Sequence, residues 1–179
     1  MMRQKEKSES KIIGVLSDTH GAIHPGVLER MNSCDVIVHA GDICGGHILE
    51  QLVPRTGEII AVRGNNDVSQ HWQQESTFKL KDLLDERRLE LPGGSLAVIH
   101  GHQYWSRKDP QSAILSHFPE ARAVVYGHSH YVQHEKVDGR WLLNPGAAGN
   151  RLNRGGSSCL ILRASEDSWQ VDMYRYVNE

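Results

Sequence analysis

The chain has 179 residues, enough for one domain with a substantial core. Lys and Arg number 20 against 22 Asp and Glu, a formal net charge of −2, which argues against a polycationic nucleic-acid binder and against an acidic tail. Hydrophobic content of 39%, with no apolar run near bilayer length, excludes a disordered chain and a helical membrane protein.

In chain order, residues 1–10 read as a solvated tail, and 11–179 as a single domain. The first ten residues have no apolar segment, and IIGVL is too short for a signal-peptide core, so the expected address is the cytoplasm. Apolar runs then recur at strand length: KIIGVLSD (11–18), CDVIVHAGD (34–42), EIIAVRGNND (58–67), SLAVIHGH (95–102), RAVVYGHSH (122–130), RWLLNPG (140–146), SCLILRA (158–164) and WQVDMYRY (169–176). Helix-like segments lie between the earlier runs. HPGVLERMNS (24–33) has a proline near its start and Val27, Leu28 and Met31 at helical spacing, and GHILEQLVPR (46–55) and QSAILSHFPEA (111–121) read similarly. The alternation predicts βαβ units, with an antiparallel finish from about Arg140. WQQESTFKLKDLLDERR (72–88) reads as one helix or two short ones, and RRLELPGGSLAVIH (87–100) as a hairpin turning at PGG. Residues 70–95 are the segment with room to shape a substrate site or an oligomer contact. Cys34, Cys44 and Cys159 offer no CxxC pair and read as small buried or half-buried residues.

Five runs end in polar clusters: SDTHG (17–21), GD (41–42), GNND (64–67), HGH (100–102) and GHSH (127–130). In an open sheet of largely parallel strands, such ends line one crevice, where ligands bind. Asp18 and His20, and His128 and His130, are two apart and would point the same way on an extended backbone. Each motif alone is weak, because GD, NPG or GNND can be a plain turn. Five Asp-, Asn- and His-bearing strand ends in order are hard to explain as turns.

This ordered set resembles the calcineurin-like metallophosphoesterases, and within them the short single-domain phosphodiesterases of the YfcE/MJ0936 type. The resemblance spans residues 12 to about 150. It implies an α/β (α+β) fold, a β-sandwich of two mixed sheets flanked by helices. It also implies two divalent metal ions. Asp18, His20 and His130 would hold one, Asn65, His100 and His128 the other, and Asp42 would bridge them. The ligands are oxygen and nitrogen only, which suits manganese first, with nickel, iron, zinc or magnesium as alternatives. The implied activity is phosphodiester hydrolysis on small substrates, by a hydroxide bridging ions about 3.5–4 Å apart. No GxSxG elbow or P-loop competes for the chemistry. A phosphomonoesterase or protein phosphatase, or a non-catalytic scaffold like the retromer subunit Vps29, are the alternatives. A small phosphoester and a possible second copy of the chain are the expected partners; neither a membrane nor a nucleic acid is.

Asn66 stands where many family members have a histidine, read as leaving-group acid or phosphate contact and oriented by the next residue, here Asp67. An amide cannot supply that proton near neutral pH. The proton would then come from water or from another residue such as His102. Asn144, Arg151 and Arg154 are further candidates for supporting the site or reaching phosphate. His24, His47, His71, His117 and His134 read as solvent-exposed, and Trp72, Trp105, Trp141 and Trp169 as core or subunit contacts.

Overall fold

A computed structural model of the chain describes residues 10–149 and 152–177. The expected tail at 1–10 lies outside these residues apart from Ser10.

Two five-stranded sheets stack face to face. The first joins β1 (Lys11–Leu16), β2 (Val36–His39) and β3 (Glu58–Ala61) in parallel, then adds β9 (Ser157–Ala164) and β10 (Trp169–Tyr176) antiparallel, in the order β10-β9-β1-β2-β3. The second has the order β4-β5-β6-β8-β7, built from β4 (Glu86–Leu91), β5 (Gly94–Ile99), β6 (Ala123–Val125), β7 (Val132–Val137) and β8 (Arg140–Pro145). Here β5, β6 and β8 are parallel, and β4 and β7 close the edges as hairpin partners. The single open sheet used above to gather the strand ends is therefore two mixed sheets.

The period-2 rule explains the layering. Ile13 and Val15 of β1, Val36 and Val38 of β2, Leu96 and Val98 of β5, and Leu160 and Leu162 of β9 meet in one core between the sheets. The alternate residues face helices. Leu16, Ile37, Cys159 and Ile161 pack with α1 (Pro25–Asn32) and α2 (Gly46–Glu50), and Ala97, Ile99, Val124 and Leu142 pack with α3 (Pro110–His117). The helix α1 begins at Pro25, capped by the His24 Nδ1, which accepts from the Gly26 N–H. It buries Val27 and Met31, each worth roughly 1.5–3 kcal/mol. No helix among the described residues is long and apolar enough to cross a membrane.

Three expectations change. The helix at 46–55 stops at Glu50, because Val53 precedes Pro54 and is steered away from helical angles. The 72–88 segment contains no α-helix, only a 3-10 turn at Leu80–Asp82 after another at Ser69–His71. Side-chain contacts win there: Ser76 Oγ, Thr77 N and Thr77 Oγ1 all donate to Glu50 Oε1, at 2.9, 2.8 and 3.1 Å. The finish is not wholly antiparallel, since β8 pairs parallel with β6, and its hairpin partner β7 was not anticipated at all. The PGG hairpin forms as expected, with Leu91 opposite Gly94.

Candidate metal centre

All five polar clusters reach one rim, three from the first sheet and two from the second. The loop after β1 runs along the loop after β2: Asp18 N donates to Gly41 O, His20 N to Asp42 O and Gly21 N to Ile43 O, each at 3.0 Å. Within the second sheet, Gly127 N donates to His100 O at 3.1 Å, and across the sandwich His100 Nδ1 donates to Ala40 O at 2.7 Å. Two glycines permit this approach. A Cβ on Gly64 would collide with Asp42 N and Oδ1, and one on Gly127 with Ser17 Oγ.

The i and i+2 pairs converge for a reason other than extended backbone. Asp18, His20, Asp42, His128 and His130 all have positive φ, between 47° and 66°. The ends of β1, β2 and β6 kink through the left-handed region, where a non-glycine residue costs of order 1–3 kcal/mol and where functional sites often lie.

Asp18, His20, Asp42 and His130 place one ligand atom each within 4.8 Å of one another. His130 Nε2 lies 3.3 Å from Asp18 Oδ1, and His20 Nε2 lies 3.8 Å from Asp42 Oδ2 and 3.3 Å from His130 Nε2. His130 Nδ1 donates to Leu152 O at 2.9 Å, which turns Nε2 inward as an acceptor. Asp18 Oδ2 is satisfied by Ser17 Oγ at 2.6 Å and His128 N at 3.2 Å, but the buried Oδ1 has no hydrogen-bond partner. A buried carboxylate oxygen with no hydrogen bond, beside two imidazole Nε2 atoms 3.3 Å apart, fits a cation. An ion with ligands at about 2.0–2.2 Å would satisfy all of them.

A second group meets beside the first. Asn65 Oδ1 lies 3.1 Å from His100 Nε2 and 3.0 Å from His128 Nδ1, and His100 Nε2 lies 3.4 Å from Asp42 Oδ1. His100 Nδ1 donates to Ala40 O at 2.7 Å, so its Nε2 is also the inward atom. Asp42 thus turns one oxygen toward each group. Asn66 steadies it from above, donating from N to Oδ1 at 2.8 Å and from Nδ2 to Oδ2 at 2.7 Å.

Charge follows this geometry. Burial works to raise the Asp42 pKa, but His100 and the Asn66 hydrogen bonds outweigh it and hold the carboxylate ionised well below the usual range. His100 is buried, which lowers its pKa, yet Asp42 and Asp18 raise it further than burial lowers it. His130 is raised chiefly by Asp18. His20, His128 and His102 are lowered, in each case mainly by burial.

The remaining candidates separate. Asp67 is buried and accepts from Ile43 N, Cys44 N, Gly64 N and Trp72 Nε1 at 2.8–3.1 Å, pinning the loop after β2 to the loop after β3. His102 lies against the second group, its ring centroid 5.5 Å from His100 and 6.2 Å from His128. Asn144 donates to Gly127 O at 2.8 Å and Ser129 Oγ at 3.0 Å, bracing the loop that carries His128 and His130. Arg154 lines a cleft of about 380 Å³ with His128 and His130, its guanidinium over Tyr131. Arg151 lies outside the described residues. His24 and His47 are half-buried rather than exposed: His24 caps α1 and stacks on Tyr176, and His47 Nε2 reaches Gly21 O at 3.3 Å. Trp105 is no core residue; it is exposed and meets the His128 ring edge-on at 5.0 Å.

One contributor escaped the sequence reading. His39, fully buried, accepts from Gly41 N at Nδ1 (3.3 Å), and its Nε2 lies 3.0 Å from Thr19 Oγ1. Burial pushes its pKa down to about 3, so the ring stays neutral and ties the first two loops together. A histidine inside a strand of valines and isoleucine, directly before AGD, was the available signal.

Two helix-flanked mixed sheets with such a rim define a calcineurin-like architecture. Residues 12–167 match the model of the calcineurin-like phosphoesterase superfamily domain, and the chain belongs to that superfamily. The phosphodiesterase MJ0936 of Methanocaldococcus jannaschii is 29% identical over 145 residues, covering 75% of this chain and 82% of that protein. Vps29 of Cryptosporidium parvum superposes with a TM-score of 0.73 at 14% identity, over 94% of this chain and 99% of the other. The Zn²⁺ complex of Vps29 from Entamoeba histolytica gives 0.66 at 19% identity, over 92% and 98%. These two share the fold with this chain.

Proposed function

We propose that this protein hydrolyses small phosphodiesters at a pair of divalent ions. The observation that carries the reading is Asp42, one oxygen toward the Asp18–His20–His130 group and the other toward the Asn65–His100–His128 group. The relative MJ0936 is named a phosphodiesterase, which supports the same reaction here. Two ions, when bound, would lower the pKa of a water between them and neutralise phosphoryl charge. Manganese suits the oxygen and nitrogen donors, and a cytoplasmic address belongs to the same reading.

The chain's own residues set the rest. Asp42 is held by Asn66 in one orientation. Arg154, on the cleft shared with His128 and His130, is placed to orient a substrate phosphate, and His102 and Trp105 pack against the His128 ring.

The test is metal content together with hydrolysis of bis-p-nitrophenyl phosphate, for wild type and Asp42→Asn, with and without added Mn²⁺. The expected result is about two ions per chain, chelator-sensitive turnover, and a loss of at least about a hundredfold in the variant. Turnover undiminished in Asp42→Asn sinks the mechanism. No turnover of mono- or diesters by metal-loaded wild type, with tight binding of a protein partner, favours a Vps29-like scaffold instead.

A further inference from the structure

Breaking the ester bond of an ordinary phosphodiester leaves charge on the departing oxygen, and a poor leaving group needs a proton as the bond opens. Several residues near the site are unsuited to give one. The Asn66 amide is no acid near neutral pH, and its Nδ2 is committed to Asp42. Asp67 is buried and takes four N–H donors. The Cys44 thiol is pushed up to about 12, by burial first and then by Asp67, Asp42 and Asp18, outside the range useful for general acid catalysis near neutrality. His102 packs against the rings of His100 and His128 and is not among the residues lining the cleft beside His20.

One imidazole is placed differently. His71 ends the 3-10 turn Ser69–His71, is exposed, and lines a cleft of about 670 Å³ together with His20, Cys44 and Leu152. Its Nδ1 donates to Asn66 O at 2.6 Å, which leaves Nε2 free to carry and give a proton. The ring is not loosely hung. His71 N donates to Val68 O at 2.9 Å, Val68 N to Asn66 O at 3.0 Å, and the next residue, Trp72, anchors through Nε1 to Asp67 at 3.1 Å. The turn that presents Asn65 and steadies Asp42 therefore also positions this ring, on the cleft beside His20.

We propose that His71 is the general acid that protonates the leaving oxygen, a role that rests on the phosphodiesterase reading above. Water oxygen forms a bond to phosphorus as the bond from phosphorus to the leaving oxygen breaks. The electron pair of the broken bond stays on the leaving oxygen, which takes the proton from Nε2. His71 is left neutral with its proton on Nδ1, still donated to Asn66 O. The proton lost by the attacking water passes to solvent, from which Nε2 is reprotonated. The net change is diester plus water to monoester plus alcohol.

The experiment compares wild type with His71→Asn, whose amide can keep a donor for Asn66 O, and with His71→Gln. The substrates are methyl aryl phosphates running from a p-nitrophenol to a phenol leaving group. For methyl phenyl phosphate, kcat/KM should fall about a hundredfold or more in both variants. For methyl p-nitrophenyl phosphate it should fall several-fold at most, and metal content should be unchanged. Separately, long-range ¹H–¹⁵N spectra of the metal-free wild type should show neutral His71 with its proton on Nδ1. Equal losses across the series, or no loss, overturn the role of His71 while leaving the hydrolase reading standing. A neutral ring protonated on Nε2 overturns it too. Absence of hydrolysis by metal-loaded wild type across the whole series overturns both.

Discussion

Single side chains divide here into those that face the rim and those that hold it. Asp18, His20, Asp42, Asn65, His100, His128 and His130 were legible in the sequence because carboxylate, amide and imidazole ended successive apolar runs. Asp67 and His39 were harder. Nothing in GNND distinguishes an aspartate that faces substrate from one that binds backbone N–H groups 24 residues away. Hydrogen bonds to a charged acceptor are worth about 1.5–3 kcal/mol each, so Asp67 is a principal strut of the two loops. His39 carries a measurable signature. Its pKa is about 3 in the fold against an ordinary 6.5, so below 6.5 the unfolded chain binds a proton that the folded one refuses. Stability is then lost as pH falls from 6.5 toward 3, by up to about 1.4 kcal/mol per pH unit. Urea unfolding of metal-free protein should show this slope, and His39→Gln should flatten it. Equal slopes would assign the acid sensitivity to other groups. His100 and His130, raised rather than lowered, act with the opposite sign and lose their contribution as pH climbs through their folded values.

Among the elements, buried strands were the most readable and half-exposed ones the least. The run VQHEKV in β7 has apolar residues only at its ends and lies at a sheet edge, so its pattern resembles a loop. The cue was in the turn, Asp138-Gly139, both with positive φ, as a two-residue hairpin requires. The 72–88 segment misled for the converse reason: helix-forming residues are held in irregular backbone by Glu50, a contact invisible to local propensity. Glycines at strand ends permit the tightest approaches between the rim loops. Gly64 brings the β3 loop onto Asp42 itself. Gly64→Ala should cost about 1–3 kcal/mol through forced displacement, while metal stoichiometry drops toward half as the Asn65–His100–His128 group is pushed off Asp42. Chemical unfolding and metal analysis of the same sample check this. Full stoichiometry at wild-type affinity would show that the loop yields without disturbing the ligands.

At the scale of the molecule, the fold was legible through its motifs more than through its pattern. Alternation of strands and helices suggested one parallel sheet, whereas the ligands come from two. Local sequence cannot announce that β5 and β6 leave the first sheet, because parallel strands buried on both faces look alike in either. Ions bound at the rim would link both sheets in the folded state alone, so they should stabilise it by mass action. At a free Mn²⁺ concentration a hundred times the dissociation constant, one site adds about 2.7 kcal/mol. For a chain of this size that raises Tm by roughly 5–10 °C, and a chelator should reverse it. Scanning calorimetry across a metal titration measures the shift. A Tm indifferent to metal would mean that the rim binds no ion tightly.

The left-handed backbone at Asp18, His20, Asp42, His128 and His130 has one more consequence, which concerns conformation rather than chemistry. At each of these positions glycine would relax the backbone, yet it would remove the side chain that faces the rim. The demands of the rim and conformational ease are therefore opposed at the same five residues. Glycine there relieves the local strain but gives up the hydrogen bonds of the side chain, such as those Asp42 accepts from Asn66 and the one His130 gives to Leu152 O. All five residues lie just outside the strands, so the pairing of both sheets does not depend on which side chains the rim carries.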